Sequence, residues 1–157
     1  MTPDELTPLI HEYRAGLEAE LKLLYHLKKL ADDQRAASQA QALDRLVDFT
    51  DERDAVMANL VTLEHELRPT RDALAAAREV AQSLPDFQEV ARLHGAAADL
   101  VYGIGTSDQE TMGALRDAEL ARRLASHAIE MGEATLAAYR RVLAPSVTSA
   151  SLIDTRG

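Results

Sequence analysis

The feature that most constrains this fold is a long stretch between Gly16 and Pro69 that contains neither glycine nor proline. As one straight helix it would extend roughly 75–80 Å, at about 1.5 Å per residue. Its apolar residues recur at steps of three and four, which is helical periodicity. The chain is rich in alanine and leucine, the strongest helix formers, and sparse in the β-branched and aromatic residues that favour strands.

The sequence therefore predicts an all-α fold. We expect an elongated antiparallel helical bundle or coiled-coil hairpin with a long C-terminal helix. Residues 1–145 are predicted to form a single helical bundle domain, because a chain of this length fits one domain. Residues 146–157 are small and polar, and they are predicted to form a flexible C-terminal tail.

The apolar periodicity lapses across residues 31–41, and this lapse leaves two arrangements open. Ser38 and Gln41 are spaced like a capping box, so we favour a hairpin that turns near residues 34–38. The alternative is one continuous helix with a solvated middle. The periodic positions on the two sides of the lapse are Leu6, Ile10, Tyr13, Leu17, Leu21, Leu24 and Leu27, then Leu43, Leu46, Val47, Thr50, Met57, Leu60, Leu63 and Leu67.

The next boundaries are predicted from proline and from pairs of capping residues. Pro69 is expected to end the second helix, because proline removes a backbone donor and clashes with the preceding turn. Thr70 would then cap a short third helix that ends near residues 83–85. Asp86 and Glu89 form a possible capping box at the start of the following helix.

The last boundaries are predicted from two closely spaced glycines. They lie in residues 102–110, which we expect to form a loop. Ser107 and Glu110 are a further possible capping box at the start of the last helix. That helix is predicted to run to about Leu143, since Ala144 and a proline follow it.

Charge and composition exclude several classes of protein. The formal net charge is −9, and the basic residues alternate with acids, so nucleic-acid binding is disfavoured. No apolar run approaches the length of a transmembrane helix, and the N-terminus lacks the features of a signal peptide. The chain has no cysteine, which excludes disulfides and thiol chemistry. We expect a cytoplasmic protein that does not insert into a membrane.

The titratable residues show no catalytic or metal-binding pattern. None of the five histidines follows a glutamate at the spacing used by di-iron helical bundles, and no two histidines are three or four apart. Asp44, Asp48, Asp51 and Glu52 share about one helical face, but arginines are interleaved with them, which favours a solvated face over a cation site. We therefore expect no enzyme activity, no catalytic residue, no metal and no cofactor.

The last helix carries two adjoining apolar seams, whereas packing against one neighbour needs only one. Both seams could contact helices of the same bundle, or one could bind another protein. In the second case the binding residues would include Ile129, Leu136, Tyr139 and Leu143, with Gly132 allowing close approach. The first seam is Leu124, Ala128, Met131, Thr135, Ala138 and Val142; the second is Ile129, Gly132, Leu136, Tyr139 and Leu143.

The segment LDRLVDFTDERDAVMANLVTLEHEL, residues 43–67, resembles the signature segment of FlgN-type flagellar export chaperones. The chain end is similar to the Tyr-Asp-x-x-Gly-like end of that family, with Ile153 in place of the aromatic residue and Asp154 and Gly157 retained. Arg53 stands where the family usually has lysine. The positions that match the signature segment are Leu43, Leu46, Arg53, Val56, Leu60, Leu63 and Glu64.

The resemblance implies a chaperone for flagellar type III secretion. Such a chaperone binds hook-filament junction (hook-associated) proteins and delivers them to the export apparatus, without a chemical step. It also implies that Ile153 in the tail contacts a partner. A generic coiled-coil adaptor or scaffold protein is the alternative, because leucine–acid helical repeats also occur in such proteins. A helical-bundle metal-binding protein is the third, less favoured interpretation.

Overall fold

The computed structural model describes residues 1–116 and 119–146, and within the last helix it describes the side chains of residues 126–140. Every regular element in these ranges is an α-helix, which confirms the all-α prediction. The helices are α1 (Pro3–Gln39), α2 (Leu43–Ala76), the short α3 (Arg78–Gln82), α4 (Phe87–Leu115) and α5 (Glu119–Ser146). The tail predicted at the C-terminus lies, from residue 147 onward, outside the described residues.

The four long helices pack side by side as an elongated bundle. α1 and α2 form an antiparallel hairpin. α4 lies against the other side of α1, with Asp32 beside Ser107 and Arg35 beside Glu110, so residue numbers rise together along the two helices. α5 packs against α2 and α4. α3 connects the end of α2 to the start of α4 near the N-terminal end of α1.

The predicted hairpin is confirmed, but its turn comes after residues 34–38. Gln41 has a left-handed backbone, with φ of 56°. Its N–H donates to the carbonyl of Ser38 at 3.2 Å, and the N–H of Ala42 donates to the carbonyl of Ala37 at 2.9 Å. These two bonds form a Schellman motif, which satisfies the free carbonyls at the end of α1.

The capping box predicted at this turn is wrong. Ser38 lies inside α1, and its hydroxyl donates to the carbonyl of Arg35 at 2.7 Å. Ala42 occupies the position before α2 and has no side chain that could cap the helix. The chain reverses through the left-handed residue instead, so the helix end is stabilised by backbone bonds alone.

The prediction that Pro69 ends the second helix is also wrong, because α2 continues through it to Ala76. Pro69 lies on the exposed side of α2, where water can bond the carbonyl that loses its partner. Thr70, Arg71 and Leu74, which follow, are buried, and their packing offsets the cost of the proline. Thr70 is not a cap, since its hydroxyl donates to Glu12 at 3.2 Å.

Residues 102–110 are not a loop but part of α4. A Cβ atom at Gly103 would lie 2.9 Å from the Lys28 side chain, and one at Gly105 would lie 2.9 Å from the Arg140 guanidinium. The two glycines therefore make room for side chains of neighbouring helices. In the sequence alone, the same pair of glycines indicates a turn.

Two further capping predictions are wrong. The hydroxyl of Ser107 lies in the middle of α4 and donates to Asp32 at 2.6 Å. α4 begins at Phe87, close to the predicted start, but Asp86 makes no capping bond and Glu89 pairs with Arg92 instead. The last helix extends through the predicted stop near Leu143 to Ser146.

The core confirms the predicted periodicity of α1, whose seven apolar positions from Leu6 to Leu27 are all buried. The same prediction for α2 is wrong at Val47, which is 50% exposed. The core is built mainly from leucine, with Tyr13, Phe87 and Tyr139 as its large aromatic members. Such a core suits long helices, because leucine side chains interdigitate well along a helix interface.

Candidate functional site

Six polar side chains meet in the bundle interior, and we call them the central polar cluster: Tyr13, Glu20, Glu64, Arg71, His94 and Tyr139. α1, α2, α4 and α5 each contribute at least one of them. All six are buried. The cluster therefore links the four long helices through polar contacts, in a region where each misplaced polar group would be costly.

One half of the central polar cluster is organised by Arg71. Its guanidinium forms an ion pair with Glu64 on the same helix, and its Nε donates to the Tyr13 hydroxyl oxygen at 3.2 Å. The Tyr13 hydroxyl also lies 2.7 Å from Nε2 of His94. Because the Tyr13 oxygen accepts from Arg71, its own O–H is available to donate to Nε2 of a neutral His94.

The other half joins α5 to α1. The Tyr139 hydroxyl donates to Oε2 of Glu20 at 2.5 Å. Burial raises the pKa of Glu20 to about 9, and the hydrogen bond and negative charge of Glu64 add to this effect. Burial, with the charge of Arg71, lowers the pKa of His94 to about 3. At neutral pH, Glu20 is therefore protonated and His94 is neutral, so neither adds a charge beside the ion pair of Arg71 with Glu64.

A second buried network lies farther along the bundle. The Arg53 guanidinium donates two hydrogen bonds to Asp108, at 2.6 and 2.5 Å, and a third to Gln34 at 2.9 Å. The side chains of Arg53 and Asp108 are only 2% and 1% exposed. Gly132 of α5 covers the guanidinium, and a Cβ atom there would lie 2.9 Å from one Nη atom of Arg53. The close approach expected at Gly132 thus accommodates an arginine of the same chain.

The three described residues predicted to bind a partner are instead in the core. Ile129, Leu136 and Tyr139 are at most 3% exposed, so this seam packs against the chain's own helices and offers no surface in this arrangement. For them the structure favours the first of the two alternatives. The side chain of Leu143 and the whole of Ile153 lie outside the described residues.

The other seam of α5 remains partly accessible. Met131 is 57% exposed, and Ala128, Thr135 and Ala138 are half-buried along the same face. The described residues of one seam therefore pack in the core, whereas the other seam faces solvent at Met131. The sequence predicted both seams, and the described residues that it named for the partner-binding alternative lie on the buried one.

The remaining titratable residues lie mostly at the surface. His11, His26, His65 and His127 are exposed. The acidic face of α2 is also exposed, as expected of a solvated face, and Glu52 from it lies 2.9 Å from His26. Among the side chains that the structure describes, those of residues 1–116 and 126–140, no group of three or more possible ligands is arranged to hold a metal ion.

The sequence analysis missed Glu20, Arg71 and His94, although a signal was present for two of them. Glu20 stands three residues after Leu17 and four before Leu24, so it occupies a core position of the helical repeat. Arg71 stands four residues after Leu67 and three before Leu74, so it too occupies a core position. A charged residue at a core position of a leucine repeat indicates a buried polar contact, but only the fold identifies its partner.

Comparisons of the chain with protein-family models, with curated proteins and with solved structures each find no match. Among the helices that the structure describes, none combines the length and apolar character needed to cross a bilayer.

Proposed function

We propose that the protein is a flagellar type III export chaperone, which binds hook-filament junction (hook-associated) proteins and delivers them to the export apparatus. The observation that carries the proposal is the resemblance of residues 43–67 to the FlgN-type signature segment. In this chain the matching positions form the inward face of α2: Leu46, Arg53, Val56, Leu60 and Glu64 are buried, and Leu43 and Leu63 are half-buried. The signature then specifies how the bundle is built, and substrate contacts lie elsewhere.

The accessible seam of α5 is our candidate for the substrate surface. Export substrates are held unfolded, so their amphipathic helices expose apolar stripes that need a cover. Met131 is well suited to this task, because methionine is flexible and adapts to differently shaped partners. The half-buried Ala128, Thr135 and Ala138 beside it are small, which lets a second helix approach closely.

The net charge of −9 supports the same function. A chaperone that displays an apolar seam before it binds its substrate is prone to self-association. Repulsion between like-charged copies opposes that association and keeps the empty chaperone dispersed. The acidic outer face of α2 contributes to this charge without taking part in the core.

The test is coexpression with each candidate hook-associated protein, followed by co-purification and titration. Met131→Asp should weaken binding at least tenfold, because it places a charge in the accessible seam. Val47→Asp is the matched control, since it changes an apolar residue on α2 that is similarly exposed. Both variants should keep the helicity of the wild-type protein.

Failure of every hook-associated protein to co-purify would refute the proposed function. Equal binding by wild type and Met131→Asp would refute the seam as the binding surface while leaving the function intact. Capture of an unrelated coiled-coil protein in place of these substrates would favour the adaptor interpretation.

A further inference from the structure

The central polar cluster holds two carboxyl groups but only one permanent cation. Glu20 of α1 faces Glu64 and Arg71 of α2 and Tyr139 of α5. Tyr13 of α1 and His94 of α4 complete the cluster on the other side of Arg71. His94 is neutral, so Arg71 can balance one carboxylate only. Burying both carboxylates would leave a net negative charge in the core, which is costly; one of them therefore holds a proton.

We propose that docking of α5 onto the bundle traps this proton on Glu20, so that acidity favours the docked helix and alkalinity favours its release. The proton belongs to Glu20 rather than Glu64, because Glu64 makes the ion pair with Arg71. The Tyr139 hydroxyl then donates to the free oxygen of a neutral carboxyl group.

α5 is the helix whose docking controls the proton. Glu20 is 0% exposed, and Tyr139 lies against it. When α5 moves away, water reaches the carboxyl group and can solvate its charged form. Ionisation then costs far less, so a released α5 leaves Glu20 free to lose its proton at neutral pH. Docking and protonation are thus two parts of one equilibrium.

The direction of the pH effect follows from the pKa of Glu20, which burial and Glu64 raise from 4.5 to about 9 in the docked state. Below pH 4.5 both states are protonated, and this contribution to docking is fully present. Between 4.5 and about 9 the docked state holds up to one proton more, so the docking equilibrium weakens by up to tenfold for each pH unit. Above about 9 the contribution has been lost.

The experiment is a pH titration by NMR of the full chain, with ¹³C in the glutamate carboxyl groups and in leucine methyl groups. Carboxyl carbons report the ionisation of Glu20 directly, and the methyl groups of Leu136, buried on α5, report docking. We expect the Glu20 signal to titrate near pH 9 and the Leu136 signals to shift or broaden with the same midpoint. A Glu20 midpoint near 4.5, or midpoints that differ between the two residues, would overturn the proposal.

Three variants distinguish the coupling of α5 docking to Glu20 protonation from a purely structural role of the central polar cluster. In Glu20→Gln, a close match for the protonated acid, the Leu136 signals should no longer change between pH 6 and 10. Tyr139→Phe should raise the Glu20 midpoint, because the lost hydrogen bond lowers its pKa. Glu64→Gln should lower it, because the Glu64 charge that raises the Glu20 pKa is gone and Glu20 becomes the carboxylate that faces Arg71. An unchanged Leu136 response in Glu20→Gln, or unmoved midpoints in the other two variants, would contradict the mechanism.

Discussion

Gly16→Ala should destabilise the protein even though alanine is the better helix former. Gly16 lies in the interior of α1, where α2 crosses it closely. A Cβ atom added there would lie 2.2, 2.6 and 2.9 Å from three side-chain carbons of Leu67. Carbon atoms in contact are ordinarily separated by about 3.5–4 Å. Leu67 must therefore move by more than an ångström, and it is itself only 5% exposed and packed in the core.

Two opposing terms set the size of the effect. Replacing glycine by alanine inside a helix gains about 0.5–1 kcal/mol. Overpacking a tightly filled interior costs about 1–3 kcal/mol. Because the overlap with Leu67 is large, we expect the cost to fall at the upper end of that range. The net loss in the free energy of unfolding should then be about 2–2.5 kcal/mol.

Gly95→Ala is the matched control, because Gly95 is an exposed glycine inside α4 with no neighbouring atom within 4 Å of the added Cβ. It should gain about 0.5–1 kcal/mol. Urea unfolding followed by circular dichroism at 222 nm measures both variants. Leu67→Ala alone should cost about 2–5 kcal/mol, and in that background Gly16→Ala should become stabilising, since the obstacle is gone. If Gly16→Ala stabilises the wild-type chain as much as Gly95→Ala does, the close approach of α1 and α2 is wrong.

Three other substitutions test the turn, the second buried network and the α5 seams. Gln41→Gly should raise the free energy of unfolding by about 1 kcal/mol, because glycine adopts the left-handed backbone of the turn without strain; a lower urea midpoint would contradict the turn. Asp108→Asn should cost about 3–5 kcal/mol by leaving Arg53 unpaired, whereas the double change Arg53→Met with Asp108→Leu should come close to wild type. Equal losses in both cases would show that the ion pair itself stabilises the fold. Leu136→Asp should collapse the helicity that Met131→Asp preserves, as measured by circular dichroism, because only the former residue is buried; equal helicity in the two variants would contradict the burial of Leu136.

Local sequence patterns were sufficient to predict that the chain is helical. The steps of three and four from Leu6 to Leu27 identify the buried face of α1, because each helical turn returns the chain to the same side. The lapse after residue 30 left a hairpin and a continuous helix open, because Ala31, Gln34 and Ala37 show no leucine-like repeat although they are buried in α1. Local patterns were less reliable at helix boundaries. Ser38, Ser107 and Asp86 all had the right spacing for caps, but none caps a helix.

Glycine and proline were misread for a related reason. The pair Gly103 and Gly105 has the composition of a turn, but its role is to admit Lys28 and Arg140. Pro69 has a local cost that tertiary packing of the next turn offsets. In each case a local preference of modest size competes with contacts between residues far apart in the sequence, and the contacts prevail.

The sequence by itself determined that this chain is helical, which face of its first helix is apolar, and that its last helix has two apolar seams, whereas the turn after α1 was settled by the structure. These properties follow from the spacing of residues along one helix. Only the tertiary structure decided which seam of α5 faces the core, which charged residues are buried, and that Glu20, Glu64 and Arg71 share one cluster. Those outcomes depend on how four helices are rotated against one another, and that rotation is set by contacts between residues as distant as Glu20 and Tyr139.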